Sequence, residues 1–234
     1  MTKSDPRAGV VFGGKGVLGS AIVEALENDG LTVWTVGRSP DNSRRHLVLQ
    51  ELDAGGLRPL AELPLLDVAV WAQGINADDS IDELDHGTFH AVIDANLQYV
   101  VSTMSELLNL DRLADPARLC VLSSIWQESV RTQKFSYAVS KSALAGLVRS
   151  AATDLASRNI LVNSVLPSVV DSAMTRQVLG QDQIDKVAAA TGFGRLITAA
   201  DVASAVRFLC STENHSITGQ FLRVDLGFTD ARQL

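Results

Sequence analysis

The chain has 234 residues, of which 46% are hydrophobic and 20% charged, a composition that suits the core of one α/β domain. Its formal net charge of -7 gives no electrostatic reason to expect binding to nucleic acid or to an anionic membrane surface. The two cysteines, the polar residues 1–7 and the lack of an uncharged apolar run of about 18 residues lead us to expect a cytoplasmic protein without a disulfide scaffold, a metal site or a membrane span.

The first predicted strand leads into a glycine-rich turn. The apolar run 9–12 is followed by Gly13, Gly16 and Gly19, and a helical apolar pattern then begins at Ile22. Strand, turn and helix start together predict a phosphate cradle, because free backbone N–H groups and the helix dipole both favour an anion. A purely structural turn is the alternative. We predict a dinucleotide site with contacts from Gly13, Lys15, Gly16, Val17, Leu18 and Gly19.

The second predicted strand, 31–36, ends in Gly37-Arg38-Ser39. In a dinucleotide-binding fold these residues meet the adenosine ribose, where a carboxylate selects NAD and an arginine accommodates the 2′-phosphate of NADP. Gly37 offers no carboxylate, whereas Arg38 offers a guanidinium suited to a phosphate. Solvated loop charges are the alternative, but we favour NADP(H) over NAD(H). The predicted contacts are Arg38 and Ser39, with added positive charge from Lys15, Arg44 and Arg45.

The remaining pattern alternates strands with helices. Strands are predicted at 46–52, 68–71, 119–122, 161–167 and 221–224, and helices around Asn96, at 136–158 and at 199–209. This predicts a single domain over residues 1–234, a Rossmann-like α/β fold with a doubly wound parallel sheet of about seven strands in three layers. Ligands of such sheets bind beyond the carboxyl ends of the strands. Asp53, Ala72, Gly74 and Ser124 all follow predicted strands.

Tyr137 and Lys141 are four residues apart in a helical pattern, so they share one helix face. A phenol has a pKa near ~10 in water, and a nearby cation lowers that pKa by stabilising the phenolate. The pair can therefore serve as an acid/base catalyst, whereas an ordinary amphipathic helix with a solvent-reaching lysine is the alternative. The helix follows Ser124 at a strand end where a cofactor would bind, which favours catalysis.

These residues resemble the short-chain dehydrogenase/reductase family. The most specific match combines Tyr137 and Lys141, as Tyr-x-x-x-Lys, with Ser124 thirteen positions before the tyrosine and Asn96 on the preceding helix. The resemblance extends from residue 9 to about 227. Further matches are Asp53 and the segments 163–167, 194–195, 218–220 and 224–227.

The resemblance implies hydride transfer between the nicotinamide C4 and a carbonyl or alcohol carbon. Tyr137 would be the proton donor or acceptor, and Lys141 would lower its pKa and hold the nicotinamide ribose. Ser124 would hydrogen-bond the substrate oxygen, and Asn96 would hold a relay water. The alternatives are an N-capping role for Ser124 and a backbone-bonded side chain for Asn96.

Some segments depart from the family pattern. Phe12 stands where the compact branch has threonine and Val17 where it has glycine, so the turn fits the extended branch better, although the downstream segments and the length fit the compact one. The Asn-Asn-Ala-Gly segment is replaced by Trp71-Ala72-Gln73-Gly74, and Ser168 follows Pro167 in place of glycine. These departures lie in the expected cofactor contacts, outside the catalytic tetrad.

By resemblance, Val170 and Ser172 contact the cofactor's carboxamide and a phosphate, and residues 172–194 form a substrate lid. A helical pair packed on a partner subunit is the alternative for the lid. Trp126, Gln127 and Phe135 flank the tetrad and are predicted to line the substrate cleft, or else to belong to the core.

The leading hypothesis is an NADP(H)-dependent ketone reductase for a small molecule. Its substrate is either an acyl-thioester or polyketide-like ketone, or a small cyclic or sugar-like one. A non-catalytic NADP sensor on the same fold is the alternative function. Apolar residues on the helices of Asn96 and Tyr137 also predict a homotetramer or homodimer, unless both helix faces are buried within one subunit.

Overall fold

The computed structural model describes residues 6–41, 43–53 and 55–230. These residues form one seven-stranded sheet in which every pairing is parallel. The strands are β1 Ala8–Phe12, β2 Thr32–Gly37, β3 His46–Val48, β4 Leu66–Trp71, β5 Leu113–Leu122, β6 Ile160–Pro167 and β7 Phe221–Val224. Their order is β3-β2-β1-β4-β5-β6-β7. The predicted doubly wound parallel sheet is confirmed. Of the predicted polar start, residues 1–7, positions 1–5 lie outside the described residues, as does the end of the chain, 231–234.

The described ranges contain seven α-helices, of which four pack on the two faces of the sheet. They are α1 Val17–Asn28, α2 His86–Ile93, α3 Tyr99–Asn109, α4 Phe135–Asp154, α5 Ala173–Val178, α6 Gln181–Ala190 and α7 Ala199–Cys210. A π-helical turn, Asp94–Gln98, joins α2 directly to α3. Nowhere in the described ranges is there a helix with the length and hydropathy to span a membrane.

The core has two layers, one on each face of the sheet. In β1, Val10 and Phe12 belong to the layer that packs on α3 and α4, whereas Val11 belongs to the layer under α1 and α7. This division follows from the alternation of side chains along a strand. Because both faces of the sheet are covered at its centre, β1 is apolar and buried at every residue.

Two predicted strands have different bounds in the structure. β3 ends at Val48 rather than at residue 52, because its only partner, β2, ends at Gly37 opposite Val48. β5 begins at Leu113 rather than at 119, because it pairs with β4 from Leu66 onward despite a register shift. The Ala114-Asp115-Pro116 segment conceals this extension, because it interrupts the run of large apolar residues. Helix α4, which carries Tyr137 and Lys141, also ends at residue 154 instead of 158.

The loops after β1 and β4 meet at the place where the strand order reverses. β1 pairs with β2 on one side and with β4 on the other, so its carboxyl end is the topological switch point of the sheet. Gly13, just past β1, lies so close to the loop after β4 that a Cβ there would come within 2.8 Å of the Gln73 nitrogen. This crevice is where a ligand of such a sheet binds.

Candidate active site

The glycine turn between β1 and α1 is shaped by close backbone contacts. Gly13 has φ of 74° and donates its N–H to the Val36 carbonyl at 2.8 Å. A Cβ at Gly19 would overlap the Gly13 carbonyl, so both positions require glycine. Gly16 is the N-cap of α1 and offers no side chain, which leaves the first N–H groups of the helix, from Val17 onward, open to a ligand. The turn therefore fits a pyrophosphate.

A cavity of about 200 Å³ opens beside this turn, between the ends of β2 and β4. Arg38 is exposed at its edge, and the buried Tyr99 forms part of its wall. Burial raises the pKa of Tyr99 to about 12, while the nearby Arg38 charge acts in the opposite direction. Among the described residues the Arg38 guanidinium has no ion-pair partner, and a guanidinium beside a hydroxyl suits the phosphate-bearing ribose of NADP. The remaining lining residues are Gly13, Val36, Gly37, Gln73, Gly74, Ile75 and Ala95.

Other predicted cofactor contacts have partners within the protein. Lys15 donates to the carbonyls of Ser39 and Pro40 and lies 3.3 Å from the Asp41 carboxylate. Asp53 accepts from the N–H groups of residues 55 and 56 and so caps its own loop. Arg45 pairs with Glu27 at 3.5 Å, so the structure does not bring it to Arg38 as the sequence suggested.

An aromatic cluster underlies the cavity. Phe12 and Trp71 are paired neighbours on β1 and β4, and their rings stack at 5.3 Å between centroids. Tyr99 meets the Phe12 ring edge-on at 6.0 Å, and Trp71 donates its Nε1–H to Thr103 at 2.8 Å. The two departures from the family pattern at Phe12 and Trp71 are therefore one packing unit.

Tyr137 and Lys141 share a face of α4, as predicted. The Lys141 Nζ lies 5.7 Å from the centre of the Tyr137 ring and donates to the Leu122 carbonyl at 3.0 Å. Burial lowers the pKa of Lys141 to about 8. Burial also raises the pKa of Tyr137 above its usual value, while a hydrogen bond with Ser124 lowers it. Burial, rather than the lysine charge, therefore sets the direction in which the pKa of Tyr137 is shifted.

Ser124 combines the two roles that the sequence offered as alternatives. It is the N-cap of a short 3-10 turn, where its Oγ accepts the N–H of Trp126 at 3.2 Å. This contact uses a lone pair of the oxygen, so the hydroxyl proton can be donated to the Tyr137 oxygen, the direction in which a hydrogen bond lowers the pKa of a phenol. Because Ser124 is also hydrogen-bonded to Tyr137, the structure brings the serine and the phenol together.

The Asn96 side chain is occupied by the protein itself. Its Nδ2 donates to the Ile75 carbonyl and to the Ser140 Oγ, both at 2.9 Å, and its Oδ1 accepts the Ile75 N–H at 2.8 Å. The side chain is therefore bonded to the backbone, which is the alternative that the sequence offered for Asn96. Both amide protons are used within the chain, so the side chain has no proton left to donate to the predicted relay water.

Sequence reasoning missed Asp79. It lies in the loop after β4, and its carboxylate accepts the backbone N–H of Ser136 at 2.9 Å and also the Ser136 hydroxyl. The N-cap residue of α4 is Lys134, which makes no capping hydrogen bond, so Asp79 supplies the cap from 57 residues away. A cap contributed by a distant loop leaves no local sequence signal.

A cleft of about 500 Å³ lies between this loop, the 3-10 turn and helices α5 and α6. Trp126 lines it as predicted, together with Thr175, Leu179 and Gln183 from the predicted lid. Phe135 does not, because it packs on Phe89 at 6.4 Å and lines a separate groove. The Gln127 Oε1 is buried without a partner among the described residues. The other lining residues of the cleft are Asn76, Asp78, Arg131, Gln133, Lys134 and Val169.

The segment that enters the predicted lid is held by local hydrogen bonds. Val170 forms a β-bridge with Ile197, and its carbonyl accepts from Thr175 at 2.7 Å. Ser172 is the N-cap of α5, and its Oγ accepts the Thr175 N–H at 3.1 Å. The Ser172 hydroxyl is therefore a helix cap in this structure. Its predicted phosphate contact would add to that cap or replace it.

The fold and the site define a class of protein. A glycine cradle opens at the switch point of a seven-stranded parallel sheet, and a Tyr-x-x-x-Lys pair stands beside a serine near the same edge. The family model described as enoyl-(acyl carrier protein) reductase matches residues 58–229. The chain belongs to the short-chain dehydrogenase/reductase family and is an oxidoreductase of that family.

Several known proteins are similar over nearly their whole length. The 3-oxoacyl-[acyl-carrier-protein] reductase of Salmonella typhimurium is 28% identical over 233 residues, covering 93% of this chain and 95% of its own. Acetoacetyl-CoA reductase of Cupriavidus necator is 27% identical over 235 residues, covering 91% and 94%. The structure of a gluconate 5-dehydrogenase from Burkholderia cenocepacia, in complex with NADP and tartrate, has a TM-score of 0.89 at 22% identity and covers 97% of each chain. This last similarity shows the fold.

Proposed function

We propose that the chain is an NADP(H)-dependent ketone reductase that transfers hydride between the nicotinamide and a carbonyl or alcohol carbon. The observation that carries the proposal is the grouping of Tyr137 with Ser124 and Lys141 near the crevice that holds the glycine cradle. Arg38, exposed at the adenosine end, supports NADP over NAD. The bound cofactor would supply the hydride, and the chain's own residues would supply binding and proton transfer.

The catalytic residues are proposed to act on the carbonyl oxygen. Ser124 would turn its hydroxyl proton from the Tyr137 oxygen to the carbonyl oxygen, and this hydrogen bond stabilises the negative charge that develops there. Tyr137 then gives its proton to the same oxygen. Because burial raises the pKa of Tyr137, the phenol is protonated at neutral pH, which is the form that reduction requires. Lys141 holds the cofactor's ribose and provides the charge that favours the phenolate after transfer.

We also propose that the whole chain works as one dinucleotide-binding domain with a lid at residues 172–194. Helices α5 and α6 fill that range and contribute Thr175, Leu179 and Gln183 to the cleft. Closure of these helices over the substrate would exclude water from the site. The predicted contacts of Val170 and Ser172 with the cofactor would be completed in that closed state.

The substrate we propose first is a 3-oxoacyl thioester, since two similar proteins are named as reductases of 3-oxoacyl-[acyl-carrier-protein] and acetoacetyl-CoA. The cleft beside Trp126 is about 500 Å³ in volume, which accommodates a short acyl chain. A sugar-like ketone is the second class to test.

The test follows NADPH absorbance at 340 nm with acetoacetyl-CoA and with a sugar ketone such as 5-ketogluconate, with NADH in parallel. We expect turnover with NADPH and a rate lower by about 10²–10⁴ in Tyr137→Phe, with NADPH binding retained. NADPH binding without turnover of any ketone tested would support the alternative, a non-catalytic NADP sensor, and equal turnover by wild type and Tyr137→Phe would refute the role of Tyr137.

A homodimer or homotetramer in the cytoplasm is also proposed. Most of the apolar residues behind this prediction pack into or against the subunit's own core, namely Val100, Met104, Leu108, Leu144, Leu147 and Ala151. The proposal now rests on Val101 of α3 and Val139 of α4, which are 42% and 38% exposed. Sedimentation at micromolar concentration tests it, and a monomer would refute it.

A further inference from the structure

The Gln73 side chain is a buried amide without a partner. Its Oε1 and Nε2 are both shielded from solvent, and neither hydrogen-bonds to any described residue. A buried amide normally has partners, because losing the hydrogen bonds it makes in water destabilises the fold. An amide with neither its donor nor its acceptor satisfied points to a partner that is not part of this chain.

The position of Gln73 indicates what that partner is. Its backbone packs against Gly13 of the phosphate cradle, and it lines the same cavity as Arg38 and Tyr99. In the family pattern this place belongs to alanine, which can make no side-chain hydrogen bond. Neither Arg38 nor the Tyr99 hydroxyl donates to another described residue, so three polar side chains around one cavity await a ligand.

We propose that Gln73 is a specificity residue that recognises the adenosine half of the dinucleotide. This inference rests on the proposed function, since it requires that the chain bind NADP(H). A carboxamide has a donor and an acceptor, and so do the edge of adenine and the ribose hydroxyls. On binding, the side chain turns into the cavity, and its amide is satisfied by the cofactor.

The proposal predicts opposite effects of one substitution on the free and bound protein. Gln73→Leu keeps the approximate volume but removes the orphaned amide, so the cofactor-free protein should unfold at a temperature higher by about 2–4 °C. The same variant should bind NADPH about three- to tenfold more weakly, measured by calorimetry or by NADPH fluorescence. A residue with a merely structural role would not stabilise the free form while weakening the complex.

Two further binding experiments identify the part of the cofactor that Gln73 contacts. The fragment adenosine 2′,5′-bisphosphate lacks the nicotinamide, and its binding should weaken by the same factor in Gln73→Leu. An NADPH analogue with hypoxanthine in place of adenine distinguishes a contact with the base from a contact with the ribose. If wild type and variant lose the same affinity for this analogue, Gln73 contacts the ribose, and if only wild type loses affinity, it contacts adenine.

Gln127→Leu is the matched control, because Gln127 also has a buried, unpartnered Oε1 but lies beyond Ser124. It should leave NADPH affinity unchanged. Unchanged NADPH affinity in Gln73→Leu, with wild type binding normally, would overturn the inference and leave the proposed function standing. If wild type itself bound no NADPH, the inference about Gln73 and the proposed function would both be refuted.

Discussion

Asp79 caps the helix that carries Tyr137, although the two residues belong to different segments of the chain. The carboxylate accepts the N–H of Ser136, the residue immediately before the phenol. The same loop is held at its other end by Asn96, which bonds both backbone groups of Ile75. The loop after β4 therefore links two members of the predicted tetrad and fixes where the phenol stands.

We predict that Asp79→Ala lowers kcat about tenfold or more, because loss of the cap shifts the start of α4 and with it Tyr137. The unfolding free energy should fall by about 0.5–2 kcal/mol. Asp79→Asn keeps an acceptor oxygen and should restore most of kcat, with the NADPH Kd unchanged in both variants. The control is Asp85→Ala, which removes the cap of α2 at Thr88. If both alanine variants lost stability and neither lost kcat, Asp79 would have no positioning role.

Lys141→Met should stabilise the cofactor-free protein at pH 7 while abolishing activity. The buried ammonium has a pKa of about 8, below the unfolded value near ~10.4, so the folded state opposes protonation. The free energy of unfolding therefore decreases as pH falls from the unfolded pKa to the folded pKa of about 8, below which the full penalty of the buried charge is present. Removing the ammonium should add about 1–3 kcal/mol to the free energy of unfolding at pH 7. The difference from wild type should shrink between pH 8 and 10 in urea unfolding.

The matched variant for this prediction is Lys134→Met. Lys134 is also buried, but its Nζ donates to Asn76 and forms an ion pair with the Asp78 carboxylate, so its charge is compensated and its removal, which loses these contacts, should destabilise. A Lys141→Met variant less stable than wild type at pH 7 would contradict the assignment of an uncompensated buried charge.

Arg38→Ala should weaken NADPH binding by about 10- to 100-fold, the effect of losing a charge-assisted contact with the 2′-phosphate. The NADH Kd should change by less than about twofold, since NADH lacks that group. Direct titration of both cofactors measures this. Arg45→Ala, whose guanidinium pairs with Glu27, should alter neither Kd. Equal losses for NADPH and NADH in Arg38→Ala would place the arginine away from the 2′-phosphate.

Phe12 and Trp71 should be energetically coupled. Phe12→Leu and Trp71→Leu should each cost about 1–4 kcal/mol of unfolding free energy, since both rings are fully buried. The double variant should cost less than the sum by about 0.5–1.5 kcal/mol, the value of a stacked aromatic pair. Phe12→Leu combined with Val206→Ala, on the other face of the sheet, should be additive. Additivity in the aromatic pair would show that the stacking carries no energy.

Local patterns predicted the sheet and the Tyr137–Lys141 face because strand alternation and helix spacing are properties of neighbouring residues. They failed where a contact joins distant segments. The stacking of Phe12 on Trp71, 59 positions away, turns two departures into one unit, and the cap of α4 comes from Asp79. β3 ends where its partner β2 ends, and the sequence of β3 alone carries no information about that position.

The π turn at Asp94–Gln98 makes the orientation of Asn96 depend on the number of residues in this turn. Such a turn holds one residue more than regular α-helix, and each residue in a helix rotates its neighbours by about 100°. Deleting a single residue here would leave an unbroken helix but turn the amide away from Ile75. The position of the amide therefore depends on the extra residue as much as on the asparagine itself.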